Sequence, residues 1–233
     1  MSSQLCIIDS EKINPQTDDN VINLVLHTLK IDKQILVFNN SKRSCEATAE
    51  RIAKALPKPS NYEHLEKLSN KILKSLSSPT QQCKKLAKCI EKGVAFHHSG
   101  LVAKQRYLIE EAFKEGHIRI ISSTPTLAAG LNLPAYKVII KDYKRYSQRG
   151  MRDIPILEYH QMSGRAGRPG CESVGKSVLC VKNEEEINNV VSKYVFGDYE
   201  EILSKLAVEP TLKMYILFFF SSRRRHTRCA IVT

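Results

Sequence analysis

The stretch QMSGRAGRPG, Gln161 to Gly170, carries two arginines three residues apart, each preceded by glycine. Glycine lets a backbone approach a ligand closely, and each guanidinium offers a rigid fork of donors suited to phosphate oxygens. A solvated basic turn would account for the arginines, but not for Gln161 together with the repeated Gly-Arg. The chemistry indicated is recognition of phosphate. Directly after it, GCESVGKS (Gly170 to Ser177) fits the phosphate-loop pattern G-x-x-x-x-G-K-[ST]. That pattern works only where a strand enters the loop and a helix leaves it. Here the arginine segment enters, and the apolar, β-branched run SVLCV leaves. The match is therefore expected to be a turn back into a sheet, with Lys176 solvated.

The elements that must position these residues are short. QILVF, VAFHH, IRIISS, YKVIIKD and KSVLCVK read as strands, each apolar and bounded by polar residues. Helices are expected between them: one after Ser41 as N-cap, with Glu46, Ala49, Ile52, Ala53 and Leu56 at roughly helical spacing before Pro57 and Pro59. Two Lys- and Leu-rich helices follow, split at Ser77-Ser78-Pro79. QRYLIEEAFKEG forms another helix, ended by Gly116; TPTLAAG enters one, and IPILEYHQMSGRAGR begins as one. Alternation of helices with wholly apolar strands predicts an α/β fold, a parallel sheet covered on both faces. Ligands of such sheets sit beyond the carboxyl ends of the strands. Three strand-to-helix junctions, NNSKR, HHSGL and SSTPT, place small hydroxyl or amide side chains at helix N-termini, where phosphate is favoured. Each alone is a helix cap; three on one sheet edge form a track for a phosphodiester backbone.

Read in order, these segments resemble the motifs of superfamily 2 helicases. ILVFNNSK resembles motif IV, FHHSGL motif IVa, STPTLAAGLNLPA motif V, and Q-x-x-G-R-x-G-R motif VI. The wording is closest to the Ski2-like group, and within it to the archaeal DNA repair helicases related to the helicase half of polymerase theta. YKRYS, IPILEYHQM and EEILSKLAVEPTLKMYIL extend the resemblance over about residues 14 to 217. Lys42 stands where the family has Arg, and Ser99 where it usually has Ala.

The resemblance implies a RecA-like second motor domain with helices on both faces of its sheet. Two such domains grip ATP with Mg²⁺, and the first supplies the phosphate loop and the Asp-Glu pair. Arg168 would then be the arginine finger, Arg165 a second γ-phosphate contact, and Gln161 a polar partner near the cleft. Gly130 and Asn132 would lie near the nucleotide, with Thr124 and Thr126 toward nucleic acid. Ser41, Lys42, His98, Ser99, Gly100 and Leu101 would hold the strand by its backbone. For His97 the alternatives are such a contact or a hydrogen-bonded helix cap. The family carries a strand-separating hairpin at Lys141 to Pro155. There Tyr143 or Tyr146 would stack on the last base pair while Lys144, Arg145, Arg149 and Arg152 hold the backbones; a plain solvated loop is the alternative.

The implied whole is a monomeric, ATP-dependent 3′-to-5′ DNA helicase working on single-stranded and forked DNA, with RNA left open as substrate. The other reading is a non-catalytic nucleic-acid-binding module. No Asp-Glu-x-His or Asp-Glu-Ala-Asp box occurs in the chain. The expected organisation is a linker over 1–13 from a first RecA-like domain, the second RecA-like domain over 14–197, and the start of a winged-helix domain over 198–217. Residues 218–233 are expected to be an adapter-derived artefact tail, because Phe218 to Arg228 back-translates to a sequence resembling a thymine run followed by a common sequencing-library adapter. Removing its four arginines lowers the formal charge from +12 to +8, still basic enough to suit nucleic acid.

Composition agrees. Hydrophobic content of 42% is ordinary for a globular protein. There is neither an apolar run of bilayer length nor the zoning of a signal peptide at MSSQLCIIDSEK. A cytoplasmic, nucleoid-associated location follows as the expectation. The seven scattered cysteines are expected to be free thiols, and no metal is expected on them.

Overall fold

The computed structural model describes residues 13, 15–125, 133–147, 150–167, 174–181, 183 and 185–198. Four of the apolar runs become β1 (Ile35–Phe38), β2 (Val94–His97), β3 (Ile120–Ser123) and β4 (Lys137–Ile140), and every residue in them is buried. A strand buried at each position has both faces covered, so strict polar alternation is absent. Together with β7 (Lys176–Leu179) they form a five-stranded sheet of order β2-β3-β1-β4-β7, parallel throughout. Registers are continuous: Ile35 lies beside Ile120 on one flank and Lys137 on the other.

The helices start and stop where local chemistry dictates. In α1 (Asn20–Lys30), Asp19 caps by accepting from the Val21 and Ile22 amides. In α2 (Lys42–Ala55), Ser41 Oγ accepts from the Ser44 amide, and Cys45, Ala49, Ile52 and Ala53 form the buried stripe. Pro57 bars any continuation. Next come α3 (Tyr62–Leu73) and α4 (Gln81–Ile90), divided at the expected Ser-Ser-Pro, and α5 (Ala103–Lys114). Gly116, at φ +80°, turns the chain out of α5, a conformation that costs glycine least. Gln34, buried at the entry to β1, donates through Nε2 to the carbonyls of Phe113 and Ile118. It thereby holds the far end of α5 to the sheet.

After β4 the chain leaves the main sheet for a separate antiparallel ribbon, β5 (Lys144–Ser147) with β6 (Gly150–Asp153). Then follow α6 (Ile156–Ser163), β7 and α7 (Glu185–Tyr194). The segment Lys141 to Pro155 is thus a hairpin and not a plain loop. Cys45, Cys83, Cys89 and Cys180 are free thiols. Burial pushes the Cys45 thiol to about 11 and that of Cys89 to about 12, so both stay protonated and inert. Among the described residues no helix is long and apolar enough to cross a membrane.

Candidate nucleic-acid and nucleotide interface

Strands β2, β3 and β1 are neighbours, so their carboxyl ends present the three junctions side by side. Asn40, Ser41 and Lys42 after β1, Ser99 after β2, and Thr124 and Pro125 after β3 line one cleft of about 620 Å³. Its far wall is Asp142, Arg145 and the α6 side chains Leu157, Glu158 and Gln161. The sequence-predicted residues Ser41, Lys42, Ser99, Thr124 and Gln161 therefore share one space. Ser41, Lys42, Ser99 and Gln161 are exposed, whereas Thr124 is nearly covered.

The residues beneath this edge are polar and satisfied. Asn39, 1% exposed, donates through Nδ2 to Ser122 Oγ at 3.0 Å. Its Oδ1 accepts from Thr48 Oγ1 and Ser44 Oγ. One amide thus ties the end of β1 to β3 and to α2. Lys141 Nζ reaches the same two hydroxyls.

The HHSGL junction divides into exposed and buried halves. Ser99 and Gly100 face out, while His98 and Leu101 are 1% and 3% exposed. The Gly100 amide donates to His98 Nδ1 at 3.1 Å, which leaves Nε2 as the protonated nitrogen. That N–H points at Glu46 Oε1, 3.2 Å away, and Gln82 donates to the same oxygen at 2.6 Å. The ring also lies flat on Phe96, with centroids 5.6 Å apart. The His98 and Leu101 side chains are thus built into the scaffold of the turn, and the surface it shows is Ser99 and the Gly100 backbone. His97 is neither a strand contact nor a helix cap: it is buried, with Nε2 2.9 Å from Glu110 of α5. Burial lowers the proton affinity of both imidazoles, against the pull of their carboxylates.

The arginine loop is held by backbone. Ala135, entering β4, donates to the Arg165 carbonyl at 2.9 Å and accepts from the Gly167 amide at 2.7 Å. Arg165 is half-buried, and Gly167 adopts φ +94°. Gly175 packs so closely on this turn that a Cβ there would collide with the Gly167 nitrogen and the Ala166 carbonyl carbon. This close approach accounts for the second glycine of the phosphate-loop pattern. Lys176 opens strand β7, not a helix, and is half-buried where a solvated side chain is expected from the sequence. Thr126, Gly130, Asn132, Arg149 and Arg168 lie outside the described residues. What is described fits a nucleotide phosphate: a cation on a glycine-flanked turn whose backbone is locked. Among the described residues no cluster of three or more His, Cys, Asp or Glu could hold a metal ion, so no step through Mg²⁺ is assigned to them.

On the hairpin the two tyrosines differ. Tyr143 is 6% exposed; its hydroxyl donates to Glu186 and its ring meets Tyr194 edge-on. Burial, with the Glu186 carboxylate beside it, pushes that hydroxyl's pKa up. Tyr143 is therefore part of the packing and has no free face for a base, whereas Tyr146 is 81% exposed. Lys144 is engaged by Glu186 at 2.8 Å and Arg145 by Glu158 at 2.9 Å, while Arg152 is exposed. Sequence reasoning missed the roles of the carboxylates Glu46, Glu158 and Glu186, and it read Asn39 only as part of the NNSKR junction, not as a buried tie between β1, β3 and α2. Only Asn39, directly after a buried strand, carried a local signal.

A parallel sheet with hydroxyl-lined junctions on its carboxyl edge, leading into a Gln-x-x-Gly-Arg turn, is the layout of a RecA-like helicase domain. Residues 71–170 match the helicase conserved C-terminal domain. The chain is 43% identical over 213 residues, 90% of its length, to ATP-dependent DNA helicase Hel308 of Methanocella arvoryzae. It is 42% identical to the proteins of the same name from Methanococcus vannielii, over 85% of the chain, and Pyrococcus horikoshii, over 86%. Over most of its length the chain thus resembles archaeal helicases of the Hel308 name, and it carries a helicase C-terminal domain with a RecA-like sheet. It spans about a quarter of the length of these curated relatives: 28%, 26% and 28%.

Proposed function

We propose that this chain is the second motor domain of an ATP-dependent, 3′-to-5′ DNA helicase acting on forked or branched DNA in repair and replication restart. The observation that carries the reading is the shared cleft. Ser41, Lys42, Ser99 and Thr124 face Gln161 across it, and Gln161 lies on the helix that runs into the arginine loop. Exposed hydroxyls and one lysine along a sheet edge read a phosphodiester backbone without reading sequence. The choice of DNA over RNA leans on the relatives, each named a DNA helicase.

ATP bound between this domain and a first RecA-like domain would supply the transferable phosphoryl group. On this side, Arg165 and Arg168 neutralise charge building on that group, a contribution worth about 10³ to 10⁵ in rate for such fingers. Gln161 orders the cleft wall, and Gly130 and Asn132 flank the nucleotide. Ser41, Lys42, Ser99, Thr124 and Thr126, with the Gly100 backbone, hold the strand. Tyr146 is the ring that stacks on the last base pair. In this reading the working protein is monomeric, and this domain by itself does not turn over ATP.

Unwinding measured on matched DNA and RNA forks with the intact helicase tests this. Efficient ATP-dependent unwinding of the DNA fork is expected. Preference for the RNA fork would reassign the substrate, and binding with no ATP turnover by the intact protein would leave a non-catalytic module.

A further inference from the structure

The hairpin belongs to neither flank of the main sheet, and a lone two-stranded ribbon is marginally stable at best. Something must stiffen it if it is to meet a duplex. Lys144 and Asp153 are directly opposed at its base, one on each strand. Lys144 Nζ lies 2.8 Å from Glu186 Oε1, and Asp153 Oδ2 lies 2.8 Å from Lys193 Nζ. Glu186 and Lys193 are seven residues apart on α7, two helical turns, and so share one face.

The order of charges matters as much as their presence. One strand offers a cation and the other an anion, and α7 offers the complements in matching order. Reversing the ribbon against the helix would oppose like charges. Between the two pairs, the Tyr143 hydroxyl donates to Glu186 and the Tyr194 hydroxyl to the Ile154 carbonyl. The buried Val190 and Tyr194 complete the contact. On its other side the ribbon is held through Arg145 to Glu158 of α6, and through the Lys144 carbonyl to Asn40.

We propose that α7 braces the β5–β6 hairpin and that Glu186 and Lys193 are positioning residues for strand separation. The proposal rests on the helicase reading above. Both ion pairs are partly exposed, and such pairs contribute little to stability. Their effect falls on the angle and stiffness of the ribbon. Helix α7 follows β7, whose first residue adjoins the glycine packed on the arginine loop. The brace therefore connects the hairpin to the segment of chain that carries the nucleotide-facing turn.

Two measurements test the brace. In hydrogen exchange on the full chain, Glu186→Ala with Lys193→Ala should speed exchange of the hairpin amides about tenfold while the amides of β1 to β4 keep their wild-type rates. Unchanged hairpin exchange would overturn the brace whatever the protein's activity. In the intact helicase, the same double variant should hold DNA-stimulated ATP turnover within about twofold and lose about tenfold in base pairs separated per ATP. Asp153→Lys should show a similar loss, and Asp153→Lys with Lys193→Asp should recover at least half of it. Full coupling in the double variant, or no recovery on exchange of the charges, would overturn the positioning role. A wild-type protein that fails to unwind would count instead against the helicase reading, with the exchange result still deciding the brace.

Discussion

Tyr146 stands directly opposite Met151 across the β5–β6 ribbon, and the two are 81% and 62% exposed. An aromatic ring and a thioether side by side near the tip of a hairpin make an apolar wedge where an exposed surface would ordinarily be polar. Stacking a base on an aromatic ring is worth about 1–3 kcal/mol. Tyr146→Ala with Met151→Ala should slow unwinding by the intact helicase about tenfold and leave the melting temperature and ATP turnover near wild type. Tyr143→Ala should instead lower the melting temperature, because a large buried ring costs about 3–5 kcal/mol to remove. Thermal denaturation beside a fork-unwinding assay separates the two. Equal unwinding by the wedge variant would remove the wedge.

Gly175 and Lys176 should behave oppositely to the corresponding positions of a true phosphate loop. Gly175→Ala forces a methyl into the Ala166–Gly167 backbone. Overpacking of this kind costs about 1–3 kcal/mol and should move the arginine turn, with ATP turnover falling by tenfold or more. Lys176→Ala, at the start of a strand, should change nucleotide affinity less than twofold. A collapse of nucleotide binding in the lysine variant would restore the phosphate-loop reading.

The track should reveal itself through salt. Lys42 is an exposed cation in the cleft beside the Ser41 cap. If it neutralises one phosphate of a single strand, Lys42→Ala reduces the slope of log affinity against log salt by about 0.7. The weakening should be similar for every sequence tested. Fluorescence anisotropy on oligonucleotides of unlike sequence reads both quantities, and an unchanged slope would take Lys42 off the track.

The buried histidines give a pH dependence with a definite sign. His97 faces Glu110 and Arg106, and His98 faces Glu46, Lys42 and His97; for both, burial dominates and lowers the folded pKa. The unfolded chain, with histidines near 6.5, then binds more protons in acid. Stability from this source is full above about pH 6.5 and is lost as pH falls through the folded values. The melting temperature should therefore drop between pH 7 and pH 5. His98→Gln, which keeps a polar side chain but cannot titrate, should reduce that drop. Identical curves for wild type and variant would exclude His98 as a source.

Much of this domain was legible from the sequence because its signals are local. Apolar runs too short for helices became the parallel strands, Ser41 capped its helix, Gly116 closed α5, and β-branched residues after Lys176 ruled out a helix there. The motifs placed Ser41, Lys42, Ser99, Thr124 and Gln161 in one cleft because strand-to-helix junctions of a parallel sheet must share an edge. Tertiary packing alone decided which junction side chains face out: Ser99 does, while His98 and Leu101 on either side of the turn do not. It also chose partners far apart in the chain: Glu46 for His98, 52 residues away, and Glu186 for Lys144, 42 away. A carboxylate's partner depends on which helix lies across from it, and no periodicity records that. The glycine of GCESVGKS belongs to the same class. Its residue type was visible from the start, but its cause, a neighbouring backbone too close for any side chain, exists only once the arginine loop has folded against it.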